Sequence, residues 1–149
     1  KSIEKGIHVR KRDRLLESIL TRDEETGRYV EIVPSDAEPQ KAFKSAPHEF
    51  KTRRRHVLVK VPLFRGTGPT DHQLSPMETL VFEPPNIIRA DTRYRLSYRM
   101  SENKTIEFVA EFLLPNESPL KVEGCVELEL RVAGSGGTGP GCAILVNKV

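Results

Sequence analysis

Arg93-Tyr94-Arg95-Leu96-Ser97-Tyr98-Arg99-Met100, followed shortly by Thr105-Ile106-Glu107-Phe108-Val109-Ala110-Glu111-Phe112, decides the fold. In the first segment Tyr94, Leu96, Tyr98 and Met100 alternate with Arg93, Arg95, Ser97 and Arg99. In the second, Ile106, Phe108, Ala110 and Phe112 alternate with Thr105, Glu107, Val109 and Glu111. Successive side chains of a strand point to opposite faces, so a period of two means one apolar face and one wet face. The intervening Ser101-Glu102-Asn103-Lys104 reads as the turn of an antiparallel hairpin. It has no glycine, but Asn103 tolerates a left-handed conformation.

The same reading extends outward in both directions. Downstream, Val122, Val126, Leu128, Leu130 and Val132 are interleaved with Glu123, Glu127, Glu129 and Arg131, a third strand pattern. Leu114 to Pro119 is the turn region before it, and Ala143 to Val146 is a last short strand. Upstream, Val57 to Phe64 is rich in apolar residues and fits a central strand. Pro62 cannot donate to a ladder, so it marks an edge or a bulge there. Residues 65–76 read as a loop. Met77 to Phe82 is a short strand stopped by Pro84-Pro85, and Tyr29 to Val33 another stopped by Pro34. Glu24-Glu25-Thr26-Gly27 is a tight turn ahead of it.

Two readings fit the N-terminal part. Leu15, Leu16, Ile19 and Leu20 have helical spacing, with Asp13 as a cap. The preferred reading is a strand, Ser18 to Arg22, hairpinned onto Tyr29 to Val33. The expected fold is all-β: a β-sandwich of about seven to eight mostly antiparallel strands, with at most one short N-terminal helix. Residues 1–17 are expected to be a linker or N-terminal segment and 18–133 the sandwich. Residues 134–149 would be a glycine-rich linker with a short terminal strand.

Composition agrees with one domain. The chain has 149 residues, 37% hydrophobic and 30% charged, with no Trp, three Tyr and six Phe, so the core must be mainly aliphatic. The formal charge is +3, only mildly basic for a nucleic-acid binder. Two cysteines, Cys125 and Cys142, are too few for a disulfide framework and read as reduced thiols. No apolar run approaches the ~18 residues of a membrane span. No secretory leader is expected, and the first residue is Lys. These features read as a cytoplasmic fragment of a longer protein with no membrane partner.

No enzyme site is legible. His8, His48, His56 and His72 do not pair with one another or with Cys at metal-ligand spacing, so no metal site is expected. Cys125 has no neighbour in sequence that would lower its pKa, and reads as a structural thiol. Gly134 to Gly141 lacks the Lys-Ser/Thr ending of a phosphate loop, and no helix follows it. Glu127 and Glu129 read as the wet face of a strand. The densest basic patch is Arg53-Arg54-Arg55-His56, with Lys41, Lys44 and Lys51 just before it. It reads as a solvated loop, with phosphate binding as the sharper alternative.

The order of these elements resembles the β-sandwich substrate-binding domain of the seventy-kilodalton heat-shock chaperones, the DnaK type. The resemblance spans Val30 to Gly136, entered through the turn Thr26-Gly27-Arg28. Its motifs are Tyr29-Val30-Glu31-Ile32-Val33-Pro34 with Pro39 beyond, then Phe50-Lys51-Thr52, then Val59-Lys60-Val61-Pro62-Leu63-Phe64-Arg65-Gly66. The hairpin Arg93 to Ala110 and the run Val126 to Leu130 follow in the family's order. There are departures. Lys104-Thr105 stands where the family has Gly, Arg55 or His56 where it has Gln, and Pro84-Pro85-Asn86-Ile87-Ile88-Arg89 where it has a Pro-Ala-Pro-Arg-Gly run. The family's helical lid and ATPase domain are not matched.

The resemblance implies a channel that holds extended apolar segments of unfolded proteins through backbone hydrogen bonds and an apolar pocket. Val59, Val61 and Phe50 would line it, with Ile19 and Leu20 in its first loop. It implies no cofactor in this chain. ATP, and an N-terminal ATPase domain as partner, would belong to the parent protein. The alternative reading is a basic β-domain that binds nucleic acid through Arg53, Arg54 and Arg55, or acts as a protein–protein interaction module.

Overall fold

The computed structural model describes residues 12–70, 72–101, 105–124, 128–132 and 143–148. They form an all-β sandwich with no helix among them. The eleven strands are β1 (Arg12–Leu15), β2 (Ser18–Arg22), β3 (Tyr29–Val33), β4 (Lys44–Lys51), β5 (Val59–Gly66), β6 (Ser75–Phe82), β7 (Arg93–Met100), β8 (Thr105–Leu113), β9 (Leu120–Glu123), β10 (Leu128–Val132) and β11 (Ala143–Lys148). One sheet runs β3-β2-β5-β6. The other runs β1-β11-β10-β8-β7-β4, with β9 also on β8. Every pairing is antiparallel except β10 with β11.

The β7–β8 hairpin realises the alternation of its sequence. Tyr94 pairs with Phe112, Leu96 with Ala110, Tyr98 with Phe108 and Met100 with Ile106, and all eight side chains are buried. The other face carries Arg95 opposite Glu111 and Arg99 opposite Glu107, the latter pair in contact at 2.6 Å. Ile19, Val59, Val61, Leu63, Leu80 and Phe82 from the smaller sheet complete one hydrophobic core with them. Each large side chain buried this way stabilises the fold by about 1.5–3 kcal/mol. The expected turn at Glu102 to Lys104 lies outside the described residues.

The N-terminal ambiguity resolves as a strand. Thr21 and Arg22 of β2 pair with Val30 and Tyr29 of β3. The turn between them is closed by Gly27 at φ 75, whose N–H donates to the Asp23 carbonyl at 2.7 Å. β2 is buried on both faces from Ser18 to Thr21, with a register shift between Ile19 and Leu20. Pro62 sits at a comparable shift, so the proline expected at an edge or bulge is at a bulge in a central strand.

The short terminal strand expected from Ala143 is β11, and the segment 1–17, expected as a linker or N-terminal segment, contains β1. β1 pairs with β11, and β11 with β10, so both flanks extend the larger sheet. β4 was not read as a strand at all. Its sequence, Lys44-Ser45-Ala46-Pro47-His48-Glu49-Phe50-Lys51, has no clean alternation. It lies at the sheet's edge, with a register shift between Ser45 and Glu49 that accommodates Pro47.

The third alternating run is split between two strands on one partner. β9 pairs with Val109 to Phe112, and β10 begins opposite Ile106 and Thr105. Between them Gly124 donates its N–H to the Phe108 carbonyl at 2.8 Å and bridges to Phe82 of the other sheet. A Cβ on Gly124 would lie 2.7 Å from Leu80 Cδ1 and 3.4 Å from the Phe108 carbonyl oxygen. Leu80 is fully buried and has little room to yield. Gly124→Ala should therefore cost about 1–3 kcal/mol, measured by urea unfolding. A loss below about 0.5 kcal/mol would mean that the two sheets do not meet this closely there.

Candidate functional site

At one end of the sandwich the strand ends enclose an open cleft of about 900 Å³. Thr21, Arg22, Asp23 and Glu24 contribute from the end of β2. Phe50, Lys51, Arg53 and Arg54 come from β4 and the loop after it. His56, Leu58, Lys60, Val61 and Pro62 come from the approach to β5, and Tyr94 from β7. Five fully charged cations line it, Arg22, Lys51, Arg53, Arg54 and Lys60, with two carboxylates, Asp23 and Glu24.

The floor is aromatic but closed. Phe50 stacks on Tyr94 with ring centroids 5.4 Å apart, and Tyr94 leans on Phe112 at 5.2 Å. Only 4% of Phe50 and 7% of Tyr94 is exposed. Burial pushes the Tyr94 phenol far above its ordinary pKa, and the nearby Glu24 and Asp23 charges push the same way.

The acidic wall is held in place from within. Asp23 is buried, accepts the Glu25 N–H at 2.9 Å, and its other carboxylate oxygen lies 2.7 Å from His48 Nε2. The His48 ring stands edge-on against Phe50 at 4.7 Å. The Asp23 oxygens are thus already committed to partners in the fold.

The basic wall is strapped at both ends. Thr52 is buried; its N–H donates to the Thr92 carbonyl at 2.9 Å and its hydroxyl to the Arg89 carbonyl at 2.8 Å. The Thr92 N–H donates back to the Thr52 hydroxyl at 3.0 Å, and the Asp91 N–H to the Thr52 carbonyl at 2.8 Å. Four residues on, His56 and Ile88 exchange two backbone hydrogen bonds of 2.9 Å each. Arg53, Arg54 and Arg55 therefore stand exposed on a segment fixed before and after them. Arg53 also donates to the Glu24 carbonyl across the cleft at 3.1 Å.

The residues singled out in the sequence separate here. Val59, Val61, Phe50, Ile19 and Leu20 are all buried, at 0–4% exposure. Only Phe50 and Val61 reach the cleft, as its floor. Val59 and Ile19 belong to the central core, and Leu20 is buried outside that cluster. Of the basic patch, Arg53 and Arg54 line the cleft, whereas Arg55 is exposed beside it. Arg22, Lys60 and the Thr52–Thr92 strap were missed. Thr52 did stand in the quoted Phe50-Lys51-Thr52 motif, but its bonding to Thr92 has no local sequence signature. Cys125, Cys142, His8, Glu127 and Gly134 to Gly141 lie outside the described residues.

Among the described residues no group of three or more His, Cys, Asp or Glu could hold a metal ion, and no helix is long and apolar enough to cross a membrane. No protein-family model matches the sequence, and neither does any curated protein. The resemblance to DnaK-type domains thus rests on the residue patterns alone.

The Tyr94 shift has a consequence at high pH. A phenol whose pKa is raised by folding leaves stability intact below its unfolded value of about 10 and removes it as pH rises further. Burial raises Tyr98 in the same direction, followed by the Glu31 charge. Tyr94→Phe should move the alkaline unfolding midpoint upward with little change at pH 7, followed by circular dichroism. An unchanged midpoint would mean that Tyr94 ionisation does not limit alkaline stability.

Proposed function

We propose that this domain is a binding module for an extended acidic polypeptide segment, which it takes into the cleft between the ends of its two sheets. The observation that carries this reading is the strapped basic loop. The backbone on either side of Arg53 and Arg54 is fixed before any ligand arrives, so little backbone entropy is lost on binding. Their charge adds to that of Arg22, Lys51 and Lys60 along the same cleft. Arg54 and Lys60 have no carboxylate partner among the described residues, and so are available to one from outside. Guanidinium groups bind carboxylates well because their paired donors match both oxygens.

Two neighbouring readings fit the geometry less well. A nucleic-acid groove normally offers aromatic faces on which bases stack. Here Phe50 and Tyr94 present almost no surface. A chaperone-type apolar channel needs accessible aliphatic side chains, and those expected to line it are engaged in the interior. The proposed reading keeps a polypeptide as ligand and replaces apolar selection by charge.

Fluorescence anisotropy tests it with three labelled probes: a Glu/Asp-rich peptide, a Leu-rich peptide of equal length and an oligo-dT. The acidic peptide should bind best, weaken as salt is added, and lose about tenfold or more in affinity to Arg53→Glu/Arg54→Glu, equivalent to roughly 1.4 kcal/mol. Tighter, salt-resistant binding of the Leu-rich peptide would replace this reading with the apolar channel. Preference for the oligonucleotide would replace it with a nucleic-acid site.

A further inference from the structure

Four large apolar side chains stand in solvent among the described residues: Leu16, Phe43, Val57 and Ile87. Phe43 is covered by the Arg99 guanidinium, 4.5 Å from the ring centre. Val57 and Ile87 differ from the others in lying beside one bridge. His56 and Ile88 form an antiparallel bridge and exchange both backbone hydrogen bonds. Val57 follows His56 and Ile87 precedes Ile88, so the two residues flank the bridge on the side to which an antiparallel register would continue. Val57 is 68% exposed and Ile87 53%. Two exposed β-branched residues from separate loops thus flank the same bridge that fixes the basic loop.

Their surroundings indicate what would cover them. His56 and Leu58, on either side of Val57, both line the basic cleft, so Val57 adjoins the cleft through the chain itself. Exposed Arg53, Arg54 and Arg55 precede Val57 on one loop, and exposed Arg89 follows Ile87 on the other. A purely apolar partner would leave these guanidinium groups unpaired, and a purely acidic one would leave Val57 and Ile87 wet. Charge complementarity favours a ligand with both properties in order along its length.

We infer that the acidic segment bound in the cleft carries an aliphatic residue next to its acidic run, and that this residue seats on Val57 and Ile87. The inference rests on the acidic-peptide reading of the cleft and adds the second half of the recognition pattern. Charge would set the encounter and orientation, and the aliphatic contact would select among acidic partners. The contact is small, so its contribution is selectivity rather than bulk affinity.

The test uses two labelled peptides identical except at one end, an acidic run followed by Ser and the same run followed by Leu. Each is titrated by anisotropy against the unmodified protein and Val57→Ser/Ile87→Ser. Both positions are exposed, so the double variant should fold normally. The unmodified protein should bind the Leu peptide about fivefold tighter than the Ser peptide. The double variant should bind both equally, at the affinity of the Ser peptide. No gain from Leu in the unmodified protein, or a gain that persists in the double variant, would overturn the inference while leaving the acidic-cleft reading standing. Failure of both peptides to bind would overturn the cleft reading, and the inference with it.

Discussion

The register of β7 against β8 is the constraint on which the rest of this structure depends. It puts Tyr94, Leu96, Tyr98 and Met100 on the same face as Ile106, Phe108, Ala110 and Phe112. A slip of one residue would turn Arg93, Arg95 and Arg99 inward and expose four large side chains. The penalty for burying unpaired guanidinium groups makes that alternative inaccessible. β4 is then fixed by pairing to the free side of β7, where Phe50 stacks on Tyr94. Glu49 reinforces the seam from the wet face through Arg93 at 2.9 Å and Arg95 at 3.1 Å. Those exposed pairs set orientation more than they add stability.

The cleft follows from where that sandwich stops. Tyr94 is near the start of β7, and Phe50 near the end of β4, so the last aromatic layer of the core lies just beneath the loops. Beyond it the chain must connect β4 to β5 and β6 to β7. Both connections pass the same end of the molecule, and each has backbone donors and acceptors with no strand partner. Thr52, Thr92, Asp91, Arg89, His56 and Ile88 satisfy one another there. Hydrogen bonding that completes the core's boundary therefore also determines where Arg53 and Arg54 stand.

Strands with one wet face were legible because burial and period coincide in them. β7 and β8 show it residue by residue, and β2, β3, β5 and β6 were found through their apolar runs and the Gly and Pro that end them. β4 was not legible. An edge strand is constrained on one side only, so Pro47, His48 and Glu49 are tolerated and the alternation is lost. The division of the last run into β9 and β10 was hidden for a different reason. At its start Gly124 meets Phe82 and Leu80 of the opposite sheet, a contact between residues far apart in sequence. The basic patch was visible as composition, but its fixation through Thr52 was not.

The five residues expected to line an apolar channel are all buried, and strand order alone does not separate a channel from a core. An inward-facing Val on a sandwich strand serves a core and a channel equally well in one dimension. The difference lies in whether the loops above it are splayed or closed. Here Val61 is covered, and Phe50 and Tyr94 seal the space beside it. With both inner faces consumed by packing, the binding proposed for this domain would fall to the rim, where side chains project from connections and not from the sheets. Selection at a rim would work through charge, because Arg and Lys can stand in water until a ligand displaces it, whereas aliphatic groups in quantity cannot. Two exposed aliphatic residues among several cations lie within that limit, which is the pattern the ends of β4 and β6 present.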